Sequence, residues 1–102
     1  MLAELTIIPV GKDVSISPDV AKAVEIIDES GLDYRLNPMG TVMEGDINQI
    51  LEVVKKCYEA VMEISQRVIV TLSLDDRKDR QSPRIEKKVT SVEEKVGRKL
   101  KK

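Results

Sequence analysis

Apolar residues follow two different periods along the chain, and the changes of period predict the order of strands and helices. Alternating apolar and polar residues, or runs of β-branched residues, predict strands over residues 2–10, 33–37, 41–45 and 67–75. Apolar residues spaced three or four apart predict three helices, which begin at Ser17, Asp46 and Ile85. Gly31 is expected to end the first helix, and Asp46 with Gln49 predicts a capping box for the second.

The order of these elements predicts the fold class. It reads strand, helix, strand, strand, helix, strand and one further helix. Two split β-α-β units of this kind give a ferredoxin-like α+β sandwich, a βαββαβ arrangement with two helices on one face of a four-stranded antiparallel sheet. The 102 residues contain no repeat and no low-complexity segment, so we expect one domain over residues 1–102. Residues 85–102 are predicted to form the extra C-terminal helix.

One face of such a sheet lies away from the helices, and its expected residues are of mixed character. Several are too apolar for a surface in water, and several are too polar for a dry core. The C-terminal helix has an apolar stripe of its own that needs a partner. We therefore expect a homodimer or homotetramer in which this open face and residues 85–102 lie at subunit interfaces. The residues expected on the open face are Glu4, Thr6, Ile8, Val10, Arg35, Asn37, Met39, Ile69, Thr71, Ser73 and Asp75.

The composition excludes most catalytic and metal-binding arrangements. The chain has no His, Trp or Phe, one Cys and two Tyr. Without His there is no Ser-His-Asp triad and no His-ligated zinc, so we expect no enzyme, no metal site and no cofactor. Cys57 lies on the apolar stripe of the second helix and is expected in the core. A lone Cys suits the cytoplasm, and no apolar run reaches the roughly 20 residues that span a bilayer.

Charge is distributed unevenly along the chain. Residues 1–76 carry a net charge of −8, and residues 77–102 carry +7. A basic tail can bind nucleic acid, but acidic residues interrupt this one and no aromatic residue accompanies it. We therefore expect a solvated helix that docks on an acidic body, and no nucleic-acid partner. Acids in the Asp75–Arg80 run could hold magnesium, but its three basic residues favour a loop of exposed ion pairs.

Residues 37–45, Asn-Pro-Met-Gly-Thr-Val-Met-Glu-Gly, concentrate groups that could hold a small molecule. One interpretation is a tight connection between strands, in which Gly40 supplies conformational freedom. The other is a pocket for a small flat polar molecule, since Met packs on rings and Asn, Thr and Glu form hydrogen bonds. Physical candidates for binding on and beside the open face are Glu4, Thr6, Asn37 and Ser73.

Several segments, taken in order, carry a family resemblance. They are Ile8–Gly11, Ser30–Tyr34, Pro38–Gly45, Arg67–Val68, Asp76–Arg77 and Lys88–Val92. The sequence resembles the thiamine-binding-protein family, small cytoplasmic ferredoxin-like proteins, over nearly the whole chain. The resemblance implies dimers that assemble into tetramers through sheets and terminal helices, and binding of thiamine or its hydroxymethylpyrimidine moiety without catalysis. It adds to the candidate binding residues the most specific motif, Met39, Gly40, Thr41 and Glu44.

The leading hypothesis is therefore a non-enzymatic homo-oligomer that binds a small heterocyclic ligand, thiamine or hydroxymethylpyrimidine. Asn37, Thr41 and Glu44 could satisfy the amine and the ring nitrogens of an aminopyrimidine. The alternative is a structural or regulatory oligomerisation module without a small-molecule ligand, whose mixed face is simply a subunit interface.

Overall fold

The computed structural model describes residues 1–11, 17–79 and 83–101 of the chain. Its four strands form one antiparallel sheet in the order β2-β3-β1-β4. This is the predicted ferredoxin-like α+β fold with an extra C-terminal helix. The elements are β1 (Leu2–Val10), α1 (Ser17–Glu29), β2 (Asp33–Asn37), β3 (Gly40–Glu44), α2 (Ile47–Met62), β4 (Arg67–Asp75) and α3 (Ile85–Val96).

The hydrophobic core lies between the sheet and the helices α1 and α2. Cys57 is fully buried there, as predicted, and its Sγ lies 3.5 Å from the carbonyl oxygen of Ala23 on α1. Burial raises the pKa of the Cys57 thiol to about 11, because low-polarity surroundings disfavour the thiolate. The buried core residues are Ala3, Leu5, Ile7, Ala23, Ile27, Met43, Ile50, Val53, Cys57 and Val61.

The capping box at the start of α2 is confirmed. The Asp46 carboxylate accepts the backbone N–H of Gln49 at 2.8 Å, and the Gln49 side chain accepts the backbone N–H of Asp46 at 2.9 Å. Only part of the apolar surface of α2 is buried, however. Ile47, Leu51 and Tyr58 remain exposed, because the helix is apolar around more of its circumference than the sheet and α1 can cover.

Helix α3 packs loosely against the rest of the chain. None of its residues is buried, and the radius of gyration is 15.0 Å, against about 13 Å for a compact domain of this length. The helix ends at Val96, earlier than predicted, because Gly97 adopts a left-handed conformation with φ of 85°. Within the described residues, no helix is long and apolar enough to cross a membrane.

The start of α3 is nevertheless tightly attached to the sheet. The backbone N–H of Arg84 donates to Oε1 and Oε2 of Glu44 at 2.8 and 3.0 Å, and the N–H of Ile85 donates to Oε1 at 3.3 Å. Helices leave their first N–H groups without intrahelical partners. The Glu44 carboxylate therefore acts as a cap supplied by β3, about forty residues away in sequence.

Candidate functional site

Strand pairing assigns each candidate residue to one side of the sheet. Glu4 pairs with Ser73 on β4, and alternation puts Glu4, Thr6 and Ser73 together on the open face. Asn37, at the end of β2, pairs with Gly40 and has the same orientation. Glu4 and Ser73 are exposed, whereas Thr6 and Asn37 are partly buried. The open face is therefore polar at its centre.

Two residues of the predicted motif face opposite sides of β3. Thr41 pairs with Leu5 on the helix side and is buried. Glu44 is also buried, but it belongs to the open face and binds the start of α3. The structure thus gives Glu44 a structural contact and separates it from Thr41. Because the two side chains face opposite sides of the sheet, this geometry does not support one ligand that contacts both, as the aminopyrimidine hypothesis requires.

A cleft of about 220 Å³ lies between α1, β1 and the turn that joins β2 to β3. We call it the α1 cleft. Five of the eight candidate residues line it: Thr6, Asn37, Met39, Gly40 and Thr41. Its remaining lining residues are apolar: Leu5, Ile7, Ile8, Val20, Ala23, Val24, Ile27, Leu36 and Pro38.

The floor of the α1 cleft is fixed by a close approach of the β2–β3 turn to β1. The Thr6 hydroxyl donates to the carbonyl oxygen of Met39 at 3.3 Å. A Cβ atom at Gly40 would lie 3.1 Å from both the Leu5 carbonyl oxygen and Thr6 Oγ1. Such a contact is tighter than ordinary packing, so a side chain at this position would require the turn or β1 to shift by a few tenths of an ångström. Met39 is 86% exposed at the rim.

The helix α1 contributes a wall of the cleft whose residues are not among the sequence-predicted candidates. Val20, Ala23, Val24 and Ile27 recur at helical spacing, and this pattern predicts packing against a sheet. The same residues line an open cleft here, because β3 pairs with β1 only as far as Leu5. Sequence periodicity reveals the apolar stripe but contains no signal for the cleft.

A second concentration of polar side chains lies at the C-terminal end of β4, around Asp75. The Asp75 carboxylate accepts hydrogen bonds from Lys88 at 3.0 Å and from Arg84 at 3.2 Å. The Lys88 hydrogen bond is the main cause of a lowered Asp75 pKa, and the nearby charges of Arg84 and Lys88 lower it further. These contacts hold the start of α3 at the end of β4.

The charged loop after β4 contains an ion pair between Arg77 and Asp79. Arg77 Nε donates to Asp79 at 2.9 Å, as expected for a loop of exposed ion pairs; Arg80, the end of the predicted run, is outside the described residues. Among residues 1–11, 17–79 and 83–101, His, Cys, Asp and Glu side chains form no group of three that could hold a metal ion.

The sequence matches a family of known proteins. The model of the family described as "Thiamine-binding protein" matches residues 3–93. A UPF0045 protein of Methanocaldococcus jannaschii is 39% identical over 94 residues, which cover 92% of this chain and 93% of the relative. A UPF0045 protein of Methanothermobacter thermautotrophicus is 42% identical over 97 residues, covering 92% and 97%.

Solved structures agree with the fold. A crystal structure of a hypothetical protein from Methanocaldococcus jannaschii superposes with a TM-score of 0.85 at 40% identity, covering 91% of this chain and 95% of that one. A Thermotoga maritima protein, named as a candidate thiamine biosynthesis or salvage protein, superposes with a TM-score of 0.78 at 23% identity, covering 89% and 96%. The second similarity concerns the fold alone.

Proposed function

Because the chain belongs to the thiamine-binding protein family, we propose that it binds thiamine or its hydroxymethylpyrimidine moiety in the α1 cleft. The observation that supports this location most directly is that Thr6 and Asn37 from the open face and Thr41 from the helix side all line one apolar cleft beside the β2–β3 turn. Small-molecule sites commonly combine apolar walls with a few polar groups that fix the ligand's orientation. The candidate salvage role of the Thermotoga maritima protein agrees with a ligand of this class.

The chemistry of the cleft favours the pyrimidine part of the ligand. The lining includes no charged side chain, and burying a cation without a partner is costly. A neutral pyrimidine ring suits these walls, whereas the thiazolium cation of thiamine is better left in water beyond the rim. The cleft volume of about 220 Å³ is also smaller than the roughly 300–1,000 Å³ typical of larger ligands.

Isothermal titration calorimetry with hydroxymethylpyrimidine and thiamine tests this proposal. We expect both to bind, and Val24→Phe, which fills the cleft from α1, to weaken binding at least tenfold. Glu25→Phe is the matched control, because it adds the same ring on the same helix at an exposed position outside the lining. No heat and no thermal shift with either ligand at millimolar concentration would contradict the proposal.

We propose binding without catalysis and without a cofactor. The family description names binding, and the absence of His removes the commonest general acid–base group. Thiamine recovered after prolonged incubation with the protein should be chemically unchanged by mass spectrometry. A new product that scales with protein concentration would identify an enzyme instead.

We also propose that the protein works as a homo-oligomer, and β4 supports one interface. β4 is an edge strand, and no other described strand pairs with its outer edge. Its nine residues include no Pro and no Lys, which are common protections of exposed edges. Leu74 is 45% exposed on the helix side. An edge that is long, apolar and unprotected favours pairing with another strand.

A second copy of the chain fits this edge. If two β4 strands pair antiparallel about Thr71, Arg67 of each lies opposite the partner's Asp75, and Val70 lies opposite the partner's Leu72. Charges then meet opposite charges, and apolar residues meet apolar residues on the helix side. The exposed residues Ile47, Leu51 and Tyr58 of α2 lie on the same side of the sheet and add apolar surface near the interface.

Sedimentation velocity at micromolar concentration tests this association. We expect a dimer or tetramer for the wild type and a smaller species for Leu74→Lys, because the lysine places a charge where apolar residues would meet. Ile64→Lys is the control, since Ile64 is similarly exposed, at 41%, but lies before β4. A monomeric wild type, or an unchanged mass for Leu74→Lys, would contradict this interface.

The open face and α3 support a second interface between copies. Ile8 and Ile69 are exposed on the open face, and Val92 and Val96 are exposed on α3. Removal of residues 85–102 should therefore reduce a tetramer to a dimer. An assembly that is stable but binds neither ligand would favour the alternative function, an oligomerisation module without a small molecule.

A further inference from the structure

The strand β1 extends beyond its neighbour β3 at the α1 cleft. β4 pairs with β1 along its whole length, from Leu2 to Val10. β3 pairs only with the first half, from Leu2 to Leu5. Residues 6–10 of β1 therefore have a lateral edge that no strand among the described residues covers. Thr6, Ile7 and Ile8 lie where this edge lines the α1 cleft.

The ladder shows which backbone groups this edge presents. Along an antiparallel strand, the N–H and C=O of one residue point to the same side. Those of the next residue point to the opposite side. The Met1 carbonyl accepts the N–H of Gly45, beyond the end of β3, at 3.1 Å, so the odd-numbered residues of β1 direct their backbone groups to the β3 side. Ile7 and Pro9 continue this series beyond β3, and Pro has no N–H. Between residues 6 and 10, Ile7 alone presents both a donor and an acceptor.

Neither backbone group of Ile7 has a strand partner on this side among residues 1–11, 17–79 and 83–101. Among the described residues, the β2–β3 turn forms no backbone hydrogen bond with Ile7 either; its Met39 carbonyl accepts the Thr6 hydroxyl. Backbone donors and acceptors at a partly enclosed site need partners, from the protein, from water or from a ligand. The Ile7 side chain packs in the core, so the chain is held rigidly at this point.

We propose that the backbone N–H and C=O of Ile7 bind the ligand in the α1 cleft, and that they select flat heterocycles with an acceptor nitrogen beside an N–H donor. The ring nitrogen of an aminopyrimidine accepts from the Ile7 N–H, and the adjacent exocyclic amine donates to the Ile7 C=O. The inference rests on the proposed function but is narrower, because it assigns selectivity to one residue's main chain and not to a side chain.

This arrangement explains why a cleft with few polar side chains could still be selective. Apolar walls hold any flat ring of suitable size, whereas a paired donor and acceptor reject a ring that lacks either complementary group. Removing the amine would leave the Ile7 carbonyl without its partner in a largely desolvated site. The expected loss of affinity is at least about tenfold, since an unpaired buried group is costly.

The test compares two probes on the intact protein. The first is 4-amino-5-hydroxymethyl-2-methylpyrimidine, and the second is the same compound without the 4-amino group. We expect the second to bind at least tenfold more weakly by calorimetry. In the ¹⁵N-labelled protein, the first probe should shift the Ile7 amide resonance downfield and slow its hydrogen exchange. The Ile8 amide, which points to β4, is the internal control and should keep its exchange rate.

The outcomes separate this inference from the proposed function. Equal affinity for the two probes, or an Ile7 amide unaffected by a probe that binds, would overturn the role of Ile7 and leave the binding function intact. Failure of both probes and of thiamine to bind would overturn both. Weaker binding of the second probe, together with protection of the Ile7 amide, would support the inference.

Discussion

Replacing Glu44 by alanine tests whether this residue of the family motif serves structure or ligand binding. The Glu44 carboxylate is buried and accepts the backbone N–H groups of Arg84 and Ile85. Alanine leaves both donors without this acceptor. Loss of a helix cap costs about 0.5–2 kcal/mol, and a hydrogen bond to a charged group contributes about 1.5–3 kcal/mol. We therefore expect α3 to be less firmly attached by about 2 kcal/mol.

The effect should be local to α3. Since α3 has no buried residue, it can open without unfolding the core. A cost of about 2 kcal/mol corresponds to a roughly 30-fold increase in the opening equilibrium. Hydrogen exchange followed by NMR should accelerate by this factor for amides of Ile85–Val96 and change little for amides of β1. Affinity for hydroxymethylpyrimidine should be unchanged, because Glu44 does not line the α1 cleft.

Glu63→Ala is the control variant for Glu44→Ala. Glu63→Ala removes an exposed carboxylate whose ion pair with Lys22 is 4.0 Å long, and exposed pairs of this kind contribute little. It should leave exchange in α3 unchanged. The reasoning is refuted if Glu44→Ala leaves exchange in α3 as slow as in the wild type, or if β1 amides accelerate equally. If Glu44→Ala abolished ligand binding while α3 stayed attached, Glu44 would be a ligand-binding residue.

The surroundings of Cys57, Asp75 and Gly40 each predict a measurable property. Burial raises the Cys57 pKa to about 11, so the folded protein at pH 8 has a roughly hundredfold smaller thiolate fraction than an ordinary cysteine, and thiol reagents followed by absorbance should react rapidly only after denaturant is added. The Asp75 pKa is lowered, mainly by the Lys88 hydrogen bond; the ion pair therefore stabilises α3 above the ordinary carboxyl pKa near 3.9, and this contribution is lost as pH falls through the lower folded value. Protection factors of α3 amides, taken relative to the intrinsic exchange rate at each pH, should fall in that acid range, and Asp75→Asn should lessen the change; a wild-type protein whose protection factors stay constant would contradict the assignment. Gly40→Ala should reduce the free energy of unfolding by about 1–3 kcal/mol in urea titrations, because its Cβ would lie 3.1 Å from the Leu5 carbonyl oxygen; an unchanged midpoint would mean that the turn can move away from β1.

The order of the elements, the capping box and the burial of Cys57 follow from local patterns. Period and turn residues act within a few positions, so a single sequence contains the information needed to predict them. Alternation along β3 also determines that Thr41 and Glu44 face opposite sides of the sheet. How much of the apolar stripe of α2 is buried does not follow from such patterns, because the buried fraction depends on the neighbouring elements and not on the stripe itself.

The site depends on long-range relations that no local pattern contains. The α1 cleft exists because β4 pairs with nine residues of β1 and β3 pairs with only four, and because the Pro38–Gly40 turn meets Thr6. The attachment of α3 depends on a carboxylate from β3 that lies forty residues earlier. Sequence by itself determined which residues prefer helix, strand or turn, since those preferences are local. Tertiary structure alone decided where one strand extends past the end of its neighbour, because strand length and pairing are set jointly by segments far apart in the chain.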